Sequence, residues 1–286
     1  MSFKSSELVL NDKNQVYHLG LSANNISDKI ILVGDQDRVG LVTSFFDSIE
    51  HRSRHREFVS QTGVYKGKRI TVLSTGIGTD NIDIVVNELD ILANINLETK
   101  ELNPVRKSLE MVRIGTCGIL QSAIPIHSFI LSEMSLGLDN VAHFYAMDFT
   151  EKEGQLLNEI KNHCPFPAKV EPYLISANHE LVNRFSSDKT NKGITLTASG
   201  FYGPQGRSIR LPLKNNWRES LENSSFQGIP IVNFEMESSA LFALGRALGH
   251  ACTTICLGIA NRPTGEFSKD YEKPMNELIA YVLDRI

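Results

Sequence analysis

The stretch 231–249, reading IVNFEMESSALFALGRALG, limits the fold of this chain more than any other. Ile231, Val232 and Phe234 form a β-rich apolar run that breaks into Glu235-Met236-Glu237-Ser238. Ala240, Leu241, Leu244, Ala247 and Leu248 then recur at helical spacing, so a buried strand feeds a buried helix at an acidic junction. Two carboxylates therefore stand where a sheet ends. Glu235 and Glu237 can complement the positive helix N-terminus. They can equally face a ligand, because ligands of open α/β sheets bind beyond the carboxyl ends of the strands.

The same grammar of strand, turn and helix recurs upstream. The apolar run 30–33 ends in Gly34-Asp35-Gln36-Asp37-Arg38, and Val39, Val42 and Phe46 then share a helical face. Glycine at a strand end lets backbone N–H groups approach an anion, and Arg38 adds charge there. The strand 69–73 leads through Ser74-Thr75-Gly76-Ile77-Gly78-Thr79 into a helix with Ile82, Val85, Val86, Leu89 and Leu92 on one side. This loop lacks both the G-x-G-x-x-G spacing and the Walker lysine, which speaks against a dinucleotide or nucleoside triphosphate site. A third unit begins at Met111-Val112-Arg113-Ile114, followed by Gly115-Thr116-Cys117-Gly118, read as a turn offering amides and a hydroxyl. An arginine inside an apolar strand is costly to bury unless an anion or carboxylate meets it.

The remaining periodicity predicts strands at 129–134, 170–177, 193–199 and 253–259, helices at 151–163 and 179–185, and a C-terminal amphipathic helix carrying Met275, Leu278, Ile279, Val282 and Ile286. The polar segment 96–110 reads as a surface excursion. Alternation of strands and helices without internal repeats implies an α/β sandwich. With 286 residues, 41% of them hydrophobic, the chain can bury a large core, and one big domain is favoured over two small ones. A net charge of −4 argues against a nucleic-acid partner. Cys117, Cys164, Cys252 and Cys256 form no C-x-x-C pair, and MSFKSSELVL holds no signal or membrane segment, so a cytoplasmic protein with reduced thiols is expected. Cys252 and Cys256 read as small core residues on one strand face rather than as metal ligands.

Three stretches stay ambiguous by local reading. His18, beside Gly20, has no local partner and reads either as structural or as functional. The basic run 52–58, RSRHREF, is by default a solvated face. Phe201-Tyr202-Gly203-Pro204-Gln205-Gly206-Arg207 is an ordinary Gly-Pro turn or a binding loop, since an aromatic face, a carboxamide and a guanidinium together suit a flat heterocycle.

As an ordered set, HLGL, GD-x-DRV, HREF, STGIG, RIGT-x-G, FYGPQGR, NFEMES and ANR resemble the nucleoside phosphorylase family, whose members cleave nucleosides with phosphate, and in particular its uridine phosphorylase branch. The likeness runs from about Tyr17 to the last helix. It implies a three-layer α/β/α sandwich around a mixed, partly barrel-like sheet, formed by residues 1–286 as a single domain with 1–16 poorly ordered or peripheral. It implies phosphorolysis of a pyrimidine nucleoside with inorganic phosphate as co-substrate, no other cofactor and no metal, in a homodimer or a hexamer with shared sites. By matching motif positions, Gly34, Arg38, Arg113 and Thr116 would bind phosphate, joined by Arg56 from a neighbouring subunit. His18 would reach across to the ribose 5′-hydroxyl, while Glu237, with Met236 and Glu235, would hold the ribose. Phe201, Gln205, Arg207, Ile259, Ala260 and Arg262 would surround the base. Arg113, Glu237, Gln205 and Arg207 would carry catalysis. Three departures stand out: Gln36 in place of a proline, Cys117 in place of Thr or Ser, and the long 96–110 excursion. A purine-cleaving relative would place an aspartate where Asn261-Arg262 stands, and a hydrolytic nucleosidase would not need Arg38, Arg56 and Arg113 together. A non-catalytic nucleoside sensor on the same fold is the remaining alternative.

Overall fold

A computed structural model describes residues 2–286. Its first strand, β1 (Lys29–Val33), is buried on both faces beyond Lys29, as a continuous apolar run in mid-sheet should be. The helix α1 (Gln36–Thr43) starts at Asp35, whose carboxylate accepts the Asp37 N–H at 2.9 Å, and buries Val39 and Val42. It stops before Phe46, which packs onto the core from the following turn. The basic run does not form a free surface loop but ends β2 (Ser48–His55), an exposed edge strand hairpinned to β3 (Phe58–Tyr65). Then come β4 (Lys68–Ser74) and α2 (Thr79–Asn94). Inside the 96–110 excursion, β5 (Ile95–Asn96) and β6 (Glu101–Leu102) pair as a separate two-stranded ribbon. The N-terminal segment ties onto this ribbon through Phe3 N–H and the Lys100 carbonyl, and buries Leu8 and Val16.

The strand β7 (Glu110–Ile119) corrects one expectation: Gly115-Thr116-Cys117-Gly118 is not a turn but the second half of this strand. The reason is non-local. That half has a parallel partner along its whole length and a second, antiparallel partner at its end. Gly115 is required because a Cβ there would collide with the Arg113 guanidinium and the Cys256 thiol. The chain continues through β8 (Phe129–Gly137), α3 (Glu151–His163), β9 (Tyr173–Ser176), α4 (His179–Phe185), β10 (Thr190–Thr197), β11 (Ser225–Phe226), β12 (Ile229–Glu235), α5 (Ser238–Leu248), β13 (Ala251–Asn261), β14 (Glu266–Phe267) and α6 (Glu272–Leu283). Against the periodicity, β9 is shorter and β10 begins earlier. Both changes follow pairing with β8.

Twelve strands form one mixed sheet. Its order β12-β10-β8-β13-β7 closes on itself because β12 also pairs with β7, and β1, β4, β3 and β2 extend from β7 as an open wing. The parallel set β4, β1, β7, β13 runs against the parallel set β8, β10, β12. Closure pairs Asn233 with Ile119 and Phe234 with Gly118, so the two sets meet at their carboxyl ends. The helices flank the sheet in groups, α1 with α6 and α2 with α5. Cys117, Ile119, Ile130, Val232 and Cys256 pack together within the closed ring, while the main core runs along the wing, β8 and β13 under the helices. Cys252 and Cys256 are both buried, but the curl of the ring turns Cys252 toward α5 and Cys256 inward. No helix among the described residues is long and apolar enough to cross a membrane.

Candidate active site

Where the two parallel sets meet lies a cleft of about 550 Å³. Its floor is Arg113, carried mid-way along β7 and only 4% exposed. One terminal nitrogen, Nη2, bonds Glu237 Oε2, and the other, Nη1, lies 3.6 Å from Glu235 Oε2. Nε and Nη1 have no hydrogen-bond partner among the described residues although they are buried. Such donors are costly to leave unmet, so they mark where a ligand's oxygens belong.

The two carboxylates at the acidic junction divide the alternatives between them. Glu235 accepts the N–H groups of Glu237 at 2.9 Å and Ser238 at 3.0 Å, together with the Thr197 hydroxyl at 2.5 Å. It therefore seals the N-terminus of α5. Glu237, which lines the cleft as Glu235 does, accepts the Gly78 N–H at 2.8 Å, which binds the STGIG loop to the sheet. Gly78 has φ of 98°, a conformation that glycine alone adopts without strain. Burial and the nearby Glu237 charge raise the Glu235 pKa above the ordinary carboxyl value. Burial disfavours the charge on Arg113, but Glu237 and Glu235 outweigh it and raise its pKa. Arg38, reaching in from α1, has its pKa lowered by burial and by Arg113. Two guanidinium groups thus share one end of the cleft, and an oxyanion between them would relieve their repulsion.

Opposite lies the FYGPQGR loop. Gln205 is buried in a short 3-10 turn closed by Gly206, whose φ of 67° and closeness to Arg218 exclude a side chain. Arg207 Nη1 donates to Gln205 Oε1 and to the Phe201 carbonyl, each at 2.5 Å, and its guanidinium carbon sits 3.8 Å from the Phe201 ring centre. Arg207 therefore orients the carboxamide, and Gln205 Nε2 donates to nothing among the described residues. The facing wall is Ile259 and Ala260, where the pairing of β13 with β7 slips between Gly258 and Ala260. Such a bulge re-aims side chains beside a site.

Of the residues expected from sequence, Gly34, Arg38, Arg113, Thr116, Phe201, Gln205, Arg207, Glu235, Met236, Glu237, Ile259 and Ala260 line this one cleft. Three do not. Arg262 sits behind the FYGPQGR loop, donating from Nη2 to the Gln205 carbonyl at 3.3 Å, and burial with the charges of Arg207 and Arg218 lowers its pKa to about 10. His18 and Arg56 lie outside their own chain's cleft but beside each other. Arg56 bonds the Tyr17 hydroxyl at 3.3 Å, and His55 Nδ1 donates to the His18 carbonyl at 2.8 Å. Arg56 occupies the β2–β3 turn with φ of 55°, a left-handed conformation uncommon for a non-glycine residue. The cleft also holds Asp35, Glu57, Ile77, Cys117, Phe234 and Phe267, to which the sequence assigned no site role. Asp35 beside Gly34 carried a usable signal. Glu57 and Phe267 did not, because a turn and a two-residue strand set their directions.

Two arginines near a strand-end glycine, a carboxylate, and a carboxamide braced by an arginine over an aromatic ring give the chemistry to hold a small anion beside a flat, amide-bearing molecule. The model of the phosphorylase superfamily matches residues 28–285, and the chain belongs to that superfamily. The chain is 29% identical over 276 residues to a uridine phosphorylase of Thermococcus kodakarensis, covering 95% of this chain and 86% of that protein. It is 27% identical to a uridine phosphorylase of Salmonella typhimurium, with 96% and 99% covered. A DeoD-type purine nucleoside phosphorylase of Alkaliphilus metalliredigens is also 27% identical, with 83% and 84% covered. Among solved structures, a Trypanosoma brucei nucleoside phosphorylase described as showing uridine phosphorylase activity superposes with a TM-score of 0.89 at 26% identity, covering 97% of this chain and 98% of that one. The protein is accordingly an enzyme that transfers a pentosyl group by phosphorolysis of nucleosides.

Proposed function

We propose that the substrate is a pyrimidine nucleoside, uridine foremost, cleaved by inorganic phosphate to uracil and ribose 1-phosphate without another cofactor. The observation that carries this reading is the bonded pair Gln205 and Arg207 on the pocket wall. With Oε1 held by Arg207, the carboxamide offers an acceptor lone pair and two donors, which match N3–H and a carbonyl of uracil, while Arg207 can meet the second carbonyl. A purine would need a proton donor near its N7. Asn261 offers none, because its amide donates to the Gln121 and Ile124 carbonyls at 3.1 and 2.8 Å.

Phosphate sits against Gly34 and Thr116 between Arg38 and Arg113, taking up the unpaired Nε and Nη1 of Arg113. Arg56 of the partner subunit completes the set. Each charge-assisted bond contributes about 1.5–3 kcal/mol. A phosphate oxygen attacks C1′ as the C1′–N1 bond breaks, and the electron pair leaves with the base. Glu237 binds the ribose hydroxyls, with Met236 beneath the sugar, and its charge favours the oxocarbenium-like state. Gln205 and Arg207 stabilise the anion developing on the base, and water later supplies its proton. The smallest working unit is a homodimer, alone or within a hexamer. Release of free base from a panel of nucleosides, with and without phosphate, tests the reading. Uridine should be cleaved only with phosphate. Inosine cleaved as fast as uridine would overturn the pyrimidine assignment, and cleavage without phosphate would make the enzyme a nucleosidase.

A further inference from the structure

Glu88 lies in the third turn of α2, is 7% exposed, and has no lysine or arginine on its carboxylate. Its partners are all in the HLGL segment. Oε1 accepts the His18 backbone N–H at 2.9 Å and meets His18 Nδ1 at 2.7 Å, while Oε2 accepts the Leu19 N–H at 2.8 Å. A carboxylate oxygen only accepts, so the proton of this bond belongs to Nδ1, and the tautomer that the bond selects carries its lone pair on Nε2. Among the described residues Nε2 bonds nothing, and the ring stays 35% exposed. Tyr17 packs against its side at 5.0 Å, edge to face.

The geometry points to Glu88 as a positioning residue that presents His18 Nε2 as a hydrogen-bond acceptor for the 5′-hydroxyl of a nucleoside in the partner subunit's cleft. This rests on the phosphorolysis of a nucleoside proposed above and on the ribose contact that the family resemblance implies for His18. Three bonds to one buried carboxylate hold both the backbone and the ring of His18, so the tautomer and the direction are set before the subunits meet. A carboxamide cannot reproduce this. A glutamine at position 88 must turn its NH₂ toward either the Leu19 N–H or His18 Nδ1, and in the second case the ring takes the other tautomer.

The test compares kcat/KM for uridine and 5′-deoxyuridine in the wild type, H18A and E88Q, with thermal unfolding and ¹⁵N shifts of the His18 ring. The wild type should prefer uridine, and H18A should lose that preference. E88Q should lose roughly three- to tenfold of it, the range of one hydrogen bond, while keeping its rate on 5′-deoxyuridine. The ring shifts should show Nδ1 protonated in the wild type and a redistributed proton in E88Q. A merely structural Glu88 would lower both substrates alike, which overturns the proposal. So does an E88Q enzyme that keeps the full preference while H18A loses it, and that result leaves the ribose role standing. If neither the wild type nor H18A distinguishes the two nucleosides, the ribose role of His18 falls, and the positioning role with it.

Discussion

Glu235 and Glu237 stand two positions apart and share Arg113, yet the backbone amides around them assign different work. Glu235 is closed in by amide groups and a hydroxyl at the start of α5, where no ligand can replace them without unwinding the helix. Glu237 keeps one face toward the cleft. The raised pKa of Glu235, caused by burial and by Glu237, has a sign that can be checked. The folded chain holds this proton more tightly than the unfolded chain, so this group's contribution to stability falls as pH rises from the ordinary carboxyl range through the raised value. Glu235→Gln keeps an acceptor at the helix start and has nothing to titrate. Its melting temperature should therefore gain on the wild type as pH rises from the ordinary carboxyl range through the raised value. A difference that stays constant across that range would show that Glu235 does not titrate as described.

At the scale of elements, α3 is joined to two neighbours by one carboxylate. Glu153 closes a capping box with Thr150, at 2.8 Å in one direction and 3.2 Å in the other. It also accepts the Ser176 N–H of β9 at 2.7 Å and Arg246 of α5 at 2.8 Å. Burial pushes its pKa up, but Arg246 and the amide donors outweigh this and hold it below the usual carboxyl value. Glu153→Ala should cost about 2–3 kcal/mol in denaturant unfolding, less than a fully buried pair because Arg246 is partly exposed. This stabilisation is present above the ordinary carboxyl pKa and is lost as pH falls through the lowered one, so the gap between variant and wild type should close in acid. The Thr-x-x-Glu spacing of this cap is readable from sequence. Its bonds to β9 and α5 are not, because they join segments whose approach local periodicity does not specify.

At the scale of the molecule, His18 and Arg56 are held together by Tyr17 and His55 at the edge of the wing, outside the cleft of their own chain. This fits a site completed across an interface, and complementation tests it. Arg56→Ala and Arg113→Ala enzymes should each be nearly inactive. Refolded together, hybrids place both defects in one site and leave the other whole. For random dimer mixing, activity should recover to roughly one quarter of wild type, as expected for an isologous interface. Hybrids isolated by differential tagging that recover nothing would reject the shared site, as would a monomer with full activity.

What the sequence by itself determined is local. The periods of 2 and 3.6 placed β1, α2, α3, α4, α5 and α6, and the strand-end glycines with Arg38, Arg113 and Glu237 marked one end of the sheet, because burial pattern and backbone permissiveness are properties of neighbouring residues. Tertiary structure alone decided which of those ends converge. Pairing of β12 with β7 closes the ring, pairing with β13 keeps Gly115-Thr116-Cys117-Gly118 in a strand, and the FYGPQGR loop comes to line the same cleft as Arg38 and Arg113. It also decided that Arg56 points away from the cleft while Glu57 lines it, and that Glu88 serves His18. The strand and the Glu88 bonds depend on partners far along the chain, whose free energy exists only once those segments meet, whereas the hairpin turn itself sets the directions of Arg56 and Glu57.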